Sequence, residues 1–273
     1  MILIELLKAI LLGLIEGFTE WLPISSTGHM ILADQFLQLD VSERFKEFFL
    51  VIIQLAAILA VVILFFKRLD PIFHKQSKKQ RKRTWMLWAK VLLACIPAGV
   101  LGVLFDDWID ANFFNPTVVA LMLILYGVMF LVMEFFQSVT EPKTTSVDKI
   151  SFPLAFGIGI SQVLSLIPGT SRSGATILGG MLLGASRPVA AEFSFFLAIP
   201  VMAGASLLKV VKLGFVYSLN EYLILAVGCV CAFTLSWFSI RFLMDYVKKH
   251  SFAVFGIYRI VLGVIILAYF ALA

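Results

Sequence analysis

Charge is scarce in this chain. Only 14% of its 273 residues are Asp, Glu, Lys or Arg, where a soluble domain carries about a quarter. That scarcity excludes an ordinary soluble globular domain. Cysteine is nearly absent: Cys95, Cys229 and Cys231 lie in apolar runs without metal-site spacing and read as small packed hydrophobes. Histidine is limited to three residues; His74 and His250 sit beside lysines in loops and read as solvated, which leaves His29. The N-terminus, Met1 to Lys8, has no basic leader segment and no small-residue cleavage site after it, so a cleaved signal peptide is not expected. What is abundant is apolar: 61% hydrophobic residues and a mean hydropathy of +1.00. The apolar runs are long enough for helical spans rather than barrel strands, so the fold class is an all-α polytopic membrane protein.

The net charge of +5 is unevenly placed. Lys67, Arg68, Lys75, Lys78, Lys79, Arg81, Lys82 and Arg83 crowd one segment. The positive-inside rule makes that segment a cytoplasmic loop. Nucleic-acid binding is not expected, because a basic run beside a long apolar stretch reads first as a topology signal. Six runs read as spans, at about 47–66, 86–104, 117–136, 189–211, 221–243 and 252–271, each near the ~20 residues that a bilayer requires. Loop 105–116, with Asp106, Asp107 and Asp110, then falls outside. Loops 137–151 and 244–251 fall inside, and loop 212–220 outside. Arg44, Lys46, Lys209 and Lys212 conflict weakly with this assignment.

Two apolar regions are broken by polar runs. Residues 3–38 contain Glu16-Gly-Phe-Thr-Glu20-Trp-Leu-Pro-Ile-Ser25-Ser26-Thr27-Gly28-His29, and residues 152–187 contain Gln162 and Pro168-Gly-Thr170-Ser171-Arg172-Ser173-Gly174. Each region reads as helix, polar turn, helix: a re-entrant hairpin. Glu47-Phe-Phe-Leu follows the first and Glu192-Phe-Ser-Phe-Phe-Leu the second. The chain is therefore expected to be one integral-membrane domain, 1–273, with repeat one at about 1–136 and repeat two at about 152–273. Three spans separate the hairpins, which makes this an inverted-topology repeat with both turns meeting near the midplane. A plain bundle of eight spans is the alternative.

Charged groups inside a membrane cost roughly 2.5–3.5 kcal/mol each on insertion scales and mark function by default. Glu16 and Glu20, at i and i+4, share a helix face. Two such carboxylates persist by sharing a proton or a cation, for which Mg²⁺ or Ca²⁺ with hard oxygen ligands is the simplest choice; a protonated or snorkelling pair is the alternative. Ser26 and His29 offer a nucleophile and a base three residues apart, although Ser25-Ser26-Thr27 also reads as a helix N-cap. Arg172, in a glycine-flanked turn leading into a helix, suits an anion, with Thr176 one turn further on; a structural ion pair with Glu16 or Glu20 is the alternative. Glu47 and Glu192 occupy matched positions and suggest a symmetric structural role. Arg187, Arg241 and Lys90 read as snorkelling, and Arg259 as deeper and paired with an unidentified carboxylate. Gly13/Gly17 and Gly180/Gly184 have the spacing of close helix contacts. Two acids, a cation, a hydroxyl, a histidine and an arginine together fit phosphoryl transfer on a lipid-attached phosphate.

The two signature runs, with Val51-Ile-Ile-Gln54-Leu-Ala-Ala and Glu192-Phe-Ser-Phe-Phe-Leu, closely resemble the bacterial undecaprenyl-diphosphate phosphatases, the bacitracin-resistance family, over essentially the whole chain. Thr170 stands where many members carry Phe, a change expected to be harmless. The resemblance implies hydrolysis of undecaprenyl diphosphate to the monophosphate in the bacterial cell membrane, with a site open to the extracytoplasmic side. It implies Glu16 and Glu20 as catalytic and divalent-cation-binding. Ser26, with Ser25 beside it, is the nucleophile, and His29 the base or acid. Arg172, with Ser171 and Thr176, holds the diphosphate, and Thr27 and Ser173 join that substrate-binding set. A second, unrelated group of membrane phosphatases requires a His-Asp pair downstream of Ser-Arg; here only His250 follows Ser171-Arg172, so that reading fails. A transporter or flippase for an anionic lipid is the competing function, since inverted repeats with broken midplane helices are typical of transporters. Against it, anion binding alone does not call for two acids and a base. The partners expected are the lipid substrate and the bilayer; oligomeric state stays open, a homodimer included.

Overall fold

The computed structural model describes residues 2–73, 77–137 and 141–272. His74, Lys75 and part of loop 137–151 lie outside the described residues, as do the side chains of Asp106 and Asp110. The described chain is helical throughout, apart from turns and a single isolated bridge between Thr144 and Ala185. Eleven α-helices run α1 (Ile2–Thr19), α2 (Ser26–Asp34), α3 (Glu43–Leu64), α4 (Phe66–Leu69), α5 (Lys78–Phe113), α6 (Pro116–Gln137), α7 (Phe152–Val163), α8 (Arg172–Leu182), α9 (Arg187–Leu213), α10 (Leu219–Tyr246) and α11 (Ala253–Leu272). Six of them, α3, α5, α6, α9, α10 and α11, are long and apolar enough to cross a membrane, as the hydropathy pattern requires. The chain is a multi-pass membrane protein.

Two of the expected boundaries move. The segment read as a loop at 105–116 is helical as far as Phe113, and Lys78 to Arg83 of the basic segment form the first turns of α5. No glycine or proline interrupts either stretch, so the helix continues past the apolar core. At 36 residues and 1.5 Å per residue, α5 is about 54 Å long, well beyond the ~30 Å hydrocarbon layer. Pro97 sits inside it.

The helices pair in a pattern that repeats. α1 packs on α10 as α7 packs on α5, and α10 packs on α3 as α5 packs on α9. α6 lies against α11 and α3 against α9. Gly13 and Gly17 set the α1–α10 contact: a Cβ at either would lie 2.4 Å from a carbonyl oxygen, of Gly228 and Ala232 respectively. The second glycine pair behaves differently. A Cβ on Gly180 would lie 3.1 Å from the Ala190 Cβ on α9, but Gly184 lies beyond α8 with φ +92. It is a turn glycine in a conformation that side chains disfavour, not half of a packing stripe.

Hydrogen bonds tie each helix–turn–helix unit back to the end from which it started. Lys8 donates to the Gln38 carbonyl at 2.6 Å, and the Asp40 amide donates to Glu5 at 2.8 Å, so the start of α1 lies beside the chain leaving α2. For the second unit, the Thr144 amide donates to the Gly184 carbonyl at 3.0 Å, and the Thr144 carbonyl accepts from the Ser186 amide at 2.9 Å.

Three expectations about charged residues change. Arg187 does not snorkel: it forms a fork with the buried Glu134, which also accepts from the Phe252 amide at 2.7 Å. Glu192 is buried against Arg68 at 2.5 Å, whereas Glu47 is exposed, so their matched positions do not carry one shared role. Arg259 is fully buried, and among the described residues no carboxylate pairs with it. It donates instead to the carbonyls of Pro23, Gly169 and Thr170 at 3.1, 2.9 and 2.9 Å.

Candidate active site

The two broken helices meet at their breaks. In the first, α1 ends at Thr19, and residues 20–25 turn the chain into α2. In the second, α7 tightens into one 3₁₀ turn at Leu164–Leu166 before Pro168 and Gly169 lead into α8. Both following helices begin alike. Ser25 (φ 71) and Ser171 (φ 70) are the only non-glycine residues with positive φ among the described residues. Each caps its helix by accepting from the amide three residues on, Gly28 at 3.3 Å and Gly174 at 3.1 Å. The serine cap reading of Ser25 thus holds, and it leaves Ser26 at the first helical position, with its hydroxyl free for other work. Holding a serine in this region of backbone space costs about 1–3 kcal/mol, a strain that persists where surrounding structure enforces it. Arg259 supplies that enforcement, since its guanidinium grips one turn through Pro23 and the other through Gly169 and Thr170.

Glu20 is the junction. Its Oε1 accepts from Arg172 Nη2 at 3.1 Å, and its Oε2 accepts from Ser26 Oγ at 2.8 Å. Arg172 is held from its other nitrogen by the Ser194 carbonyl at 2.8 Å, and its guanidinium lies 5.7 Å from the Trp21 ring. Thr176 Oγ1 donates to the Arg172 carbonyl at 2.9 Å and lies 2.7 Å from Ser194 Oγ. Ser173 crosses to the first turn, with the carbonyls of Glu20 and Leu22 3.2 and 3.1 Å from its hydroxyl, and Ser171 Oγ lies 3.1 Å from Ser173 Oγ. Glu20, Ser26, Arg172, Ser171, Ser173 and Thr176 therefore belong to one cluster around the two turns, and Glu16, buried one helical turn before Glu20, accepts the Glu20 amide through its carbonyl at 3.0 Å.

His29 and Thr27 stand apart from that cluster. His29 Nδ1 is 2.7 Å from the Ser25 carbonyl, which can only accept, so Nδ1 carries the proton. Nε2 of the neutral ring then accepts from the Tyr258 hydroxyl at 2.7 Å, with the two rings stacked. The hydroxyl of Ser26 is given to Glu20, not to His29. Thr27 lines a mostly apolar cavity of about 340 Å³ together with Leu12, Met30, Asp34 and Phe49. Tyr258 is the residue that sequence reasoning missed here, and Arg259, read as the partner of a carboxylate, holds backbone carbonyls instead. Tyr258 is unremarkable in an apolar helix, and Arg259 bonds to backbone carbonyls that carry no residue signature.

Buried polar atoms without partners concentrate in this place. Six of the seven such side-chain atoms among the described residues belong to the two signature runs: Glu16 Oε1, Trp21 Nε1, Gln162 Oε1 and Nε2, Thr170 Oγ1 and Arg172 Nε. Leaving one unsatisfied costs about 1–3 kcal/mol, so a protein keeps a cluster of them only where something else completes them. Anion and cation partners are both invited: Arg172 Nε is an unused donor, and Glu16 Oε1 and Gln162 Oε1 are unused hard oxygens. No group of three His, Cys, Asp or Glu with metal-holding geometry exists among the described residues. The donor set thus fits a cation held by one or two carboxylates and completed by water and phosphate oxygens, the habit of Mg²⁺, better than a protein cage.

The family described as bacitracin resistance protein BacA matches residues 9–265. Undecaprenyl-diphosphatase 1 of Clostridioides difficile is 55% identical over 99% of this chain and 98% of its own length. An undecaprenyl-diphosphatase of Enterococcus faecalis is 55% identical over 97% and 96%, and one of Streptococcus thermophilus is 53% identical over 98% and 94%. Both signature turns fall within the matched span. With its two turns joined through Glu20 and Arg172, this chain belongs to the BacA bacitracin-resistance family.

Proposed function

We propose that this chain hydrolyses undecaprenyl diphosphate to undecaprenyl phosphate and inorganic phosphate in the bacterial cell membrane. That reaction returns the lipid carrier of cell-wall polymers to use and underlies bacitracin resistance. The observation that carries the reading is Glu20 shared between Ser26 and Arg172: a base on a hydroxyl, next to a guanidinium suited to phosphate oxygens.

In the chemistry this supports, the Ser26 oxygen attacks the terminal phosphorus and its proton passes to Glu20. The anhydride P–O bond breaks, and undecaprenyl phosphate leaves with the bonding pair. Water then hydrolyses the phosphoserine and releases inorganic phosphate. Arg172, through its unused Nε, and the Arg172 and Ser173 amides that open α8, which have no intrahelical acceptor, hold the diphosphate. Ser171, Ser173 and Thr176 fix that turn, while Ser25 and Thr27 flank the nucleophile. His29, oriented by Tyr258, serves as an acid or base for the leaving phosphate or the incoming water. A divalent cation, Mg²⁺ or Ca²⁺, would be held by Glu16 and Glu20 and would neutralise charge on the phosphoryl oxygens. The site opens to the extracytoplasmic side in this reading, because the first unit starts and ends away from the basic segment.

Phosphate release from a polyprenyl diphosphate by the purified chain in detergent tests the reading. Release should depend on divalent cation and stop with a chelator; a protein that releases none under varied metal and pH would refute it. Ser26→Ala decides the nucleophile. Loss of release together with a trappable phosphoenzyme in the wild type supports serine attack, whereas substantial residual rate assigns the attack to water.

A further inference from the structure

The opposite end of the bundle carries a polar feature that phosphate hydrolysis does not use. Two adjoining cavities, of about 330 and 280 Å³, open along the first turns of α5 and share Arg83, Leu87 and Asp148. Lys67 and Arg68 line the first, and Lys79, Lys82 and Lys90 the second. Among the described residues Asp148 is the only carboxylate lining either cavity, and it is already divided between Arg68 at 3.6 Å and Arg83 at 4.0 Å. Arg68 is engaged again by Glu192 at 2.5 Å. Among the described residues no carboxylate lies within ion-pair distance of Lys79, Lys82 or Lys90.

A topology signal accounts for basic residues in this loop but not for their placement. The positive-inside rule is satisfied by lysine anywhere near the membrane end. Here Lys79, Arg83 and Lys90, spaced four and seven apart, share one face of α5. Lys90 lies well inside the apolar stretch, with its residue only 9% exposed and its ammonium 5.8 Å from the Phe152 ring. It lines the second cavity. Beside the mouth, Met86 lines the second cavity and Phe152 faces the Lys90 ammonium, and they are 41% and 39% exposed, an apolar surface suited to lipid chains.

We propose that these cavities bind the phosphodiester headgroup of an anionic phospholipid, whose acyl chains lie on the exposed face of α5. Basic pockets between helices at the cytoplasmic end are suited to such headgroups. Phosphate is the shared chemistry, and the apolar mouth favours a lipid source over a soluble one.

The full chain, reconstituted in phosphatidylcholine vesicles, can be titrated with spin-labelled phosphatidylglycerol and, separately, with spin-labelled phosphatidylcholine. The wild type should immobilise the anionic label preferentially. The variant Lys79→Gln/Arg83→Gln/Lys90→Gln should weaken that preference, by about fivefold for each cation removed. Lys248→Gln/Lys249→Gln, exposed at the same end but outside the cavities, should leave it unchanged. Equal immobilisation of both labels, or equal loss in the control variant, would overturn the proposal. Displacement of the label by inorganic phosphate at matched ionic strength would also overturn it, by assigning the cavities to a soluble anion. If the triple variant does not fold, Arg83→Gln, whose side chain is 57% exposed, is measured alone, and an unchanged preference there is equally fatal.

Discussion

Glu20 draws its importance from having both oxygens committed, one to Ser26 and one to Arg172. Glu20→Gln keeps the shape and removes the base, so phosphate release should fall by about 10²-fold or more; a rate within a few-fold of wild type would remove Glu20 from the chemistry. Arg172→Ala should lose as much, because charge on the phosphoryl oxygens would go unbalanced. The pair also has a stability signature. Removing one member of a buried ion pair strands the other at a cost of about 3–5 kcal/mol, while removing both can be nearly neutral. Thermal unfolding in detergent should therefore find Glu20→Gln/Arg172→Met more stable than Arg172→Met alone. Tyr258→Phe deletes one hydrogen bond to His29, worth about 0.5–1.5 kcal/mol or roughly two- to tenfold. Its release rate should drop by that factor without loss of fold. These residues differ in how legible they are. Glu20, Ser26 and Arg172 stand out because polar groups in apolar runs are expensive. Tyr258 does not, since its partner lies 229 positions away and a tyrosine in an apolar helix signals nothing. Arg259 announces a buried charge, but its acceptors are carbonyls, which every residue has.

At the scale of elements, periodicity and length identified the six spans, while helix ends were the weak point. Hydropathy marks where a helix leaves the hydrocarbon, not where it stops, and α5 continues well past both limits as a solvated helix. Small-residue spacing was informative on α1 and misleading on α8, because the same spacing serves a helix contact at Gly17 and a chain turn at Gly184. The contact can be tested directly. A methyl group on Gly17 would press on the Ala232 carbonyl at 2.4 Å, and backbone cannot step aside as a flexible side chain can. Gly17→Ala should destabilise by about 1–3 kcal/mol through overpacking and displace the turn carrying Glu16. Gly99→Ala on α5, where nothing lies within 4 Å, should be neutral or mildly stabilising, since alanine is the better helix former. Melting temperatures of the two variants in the same detergent compare them; equal shifts would refute close packing as the role of Gly17.

For the molecule as a whole, we propose two halves related by inversion, a reading that helix length supports. α2 has nine residues and α8 eleven, about 14 and 17 Å, too short for a ~30 Å layer. Neither helix is long enough to cross that layer alone, and in the arrangement we propose each unit returns to the side it came from. The ties between Lys8 and Gln38 and between Thr144 and Ser186 hold the two units closed at their own ends. The interchange of partners, α1 on α10 and α7 on α5, is what a two-fold axis in the membrane plane would produce. Such a fold serves a transporter as readily as a hydrolase, and what separates the halves is chemistry: Glu16, Ser26 and His29 in the first stand opposite Gln162, Arg172 and Ala175 in the second. In this reading, the two ends of the first unit label from outside and those of the second from the cytoplasm. Single cysteines at Ile4 and Phe36, 58% and 72% exposed, introduced by Ile4→Cys and Phe36→Cys into a chain lacking Cys95, Cys229 and Cys231, should both react with an impermeant maleimide in intact cells. Lys149→Cys and Leu183→Cys should react only after permeabilisation. If Ile4→Cys and Phe36→Cys label from opposite sides, the first unit spans the membrane and the inverted repeat fails. If all four label from one side, the units are re-entrant but parallel, and the two turns would not approach the midplane from opposite faces.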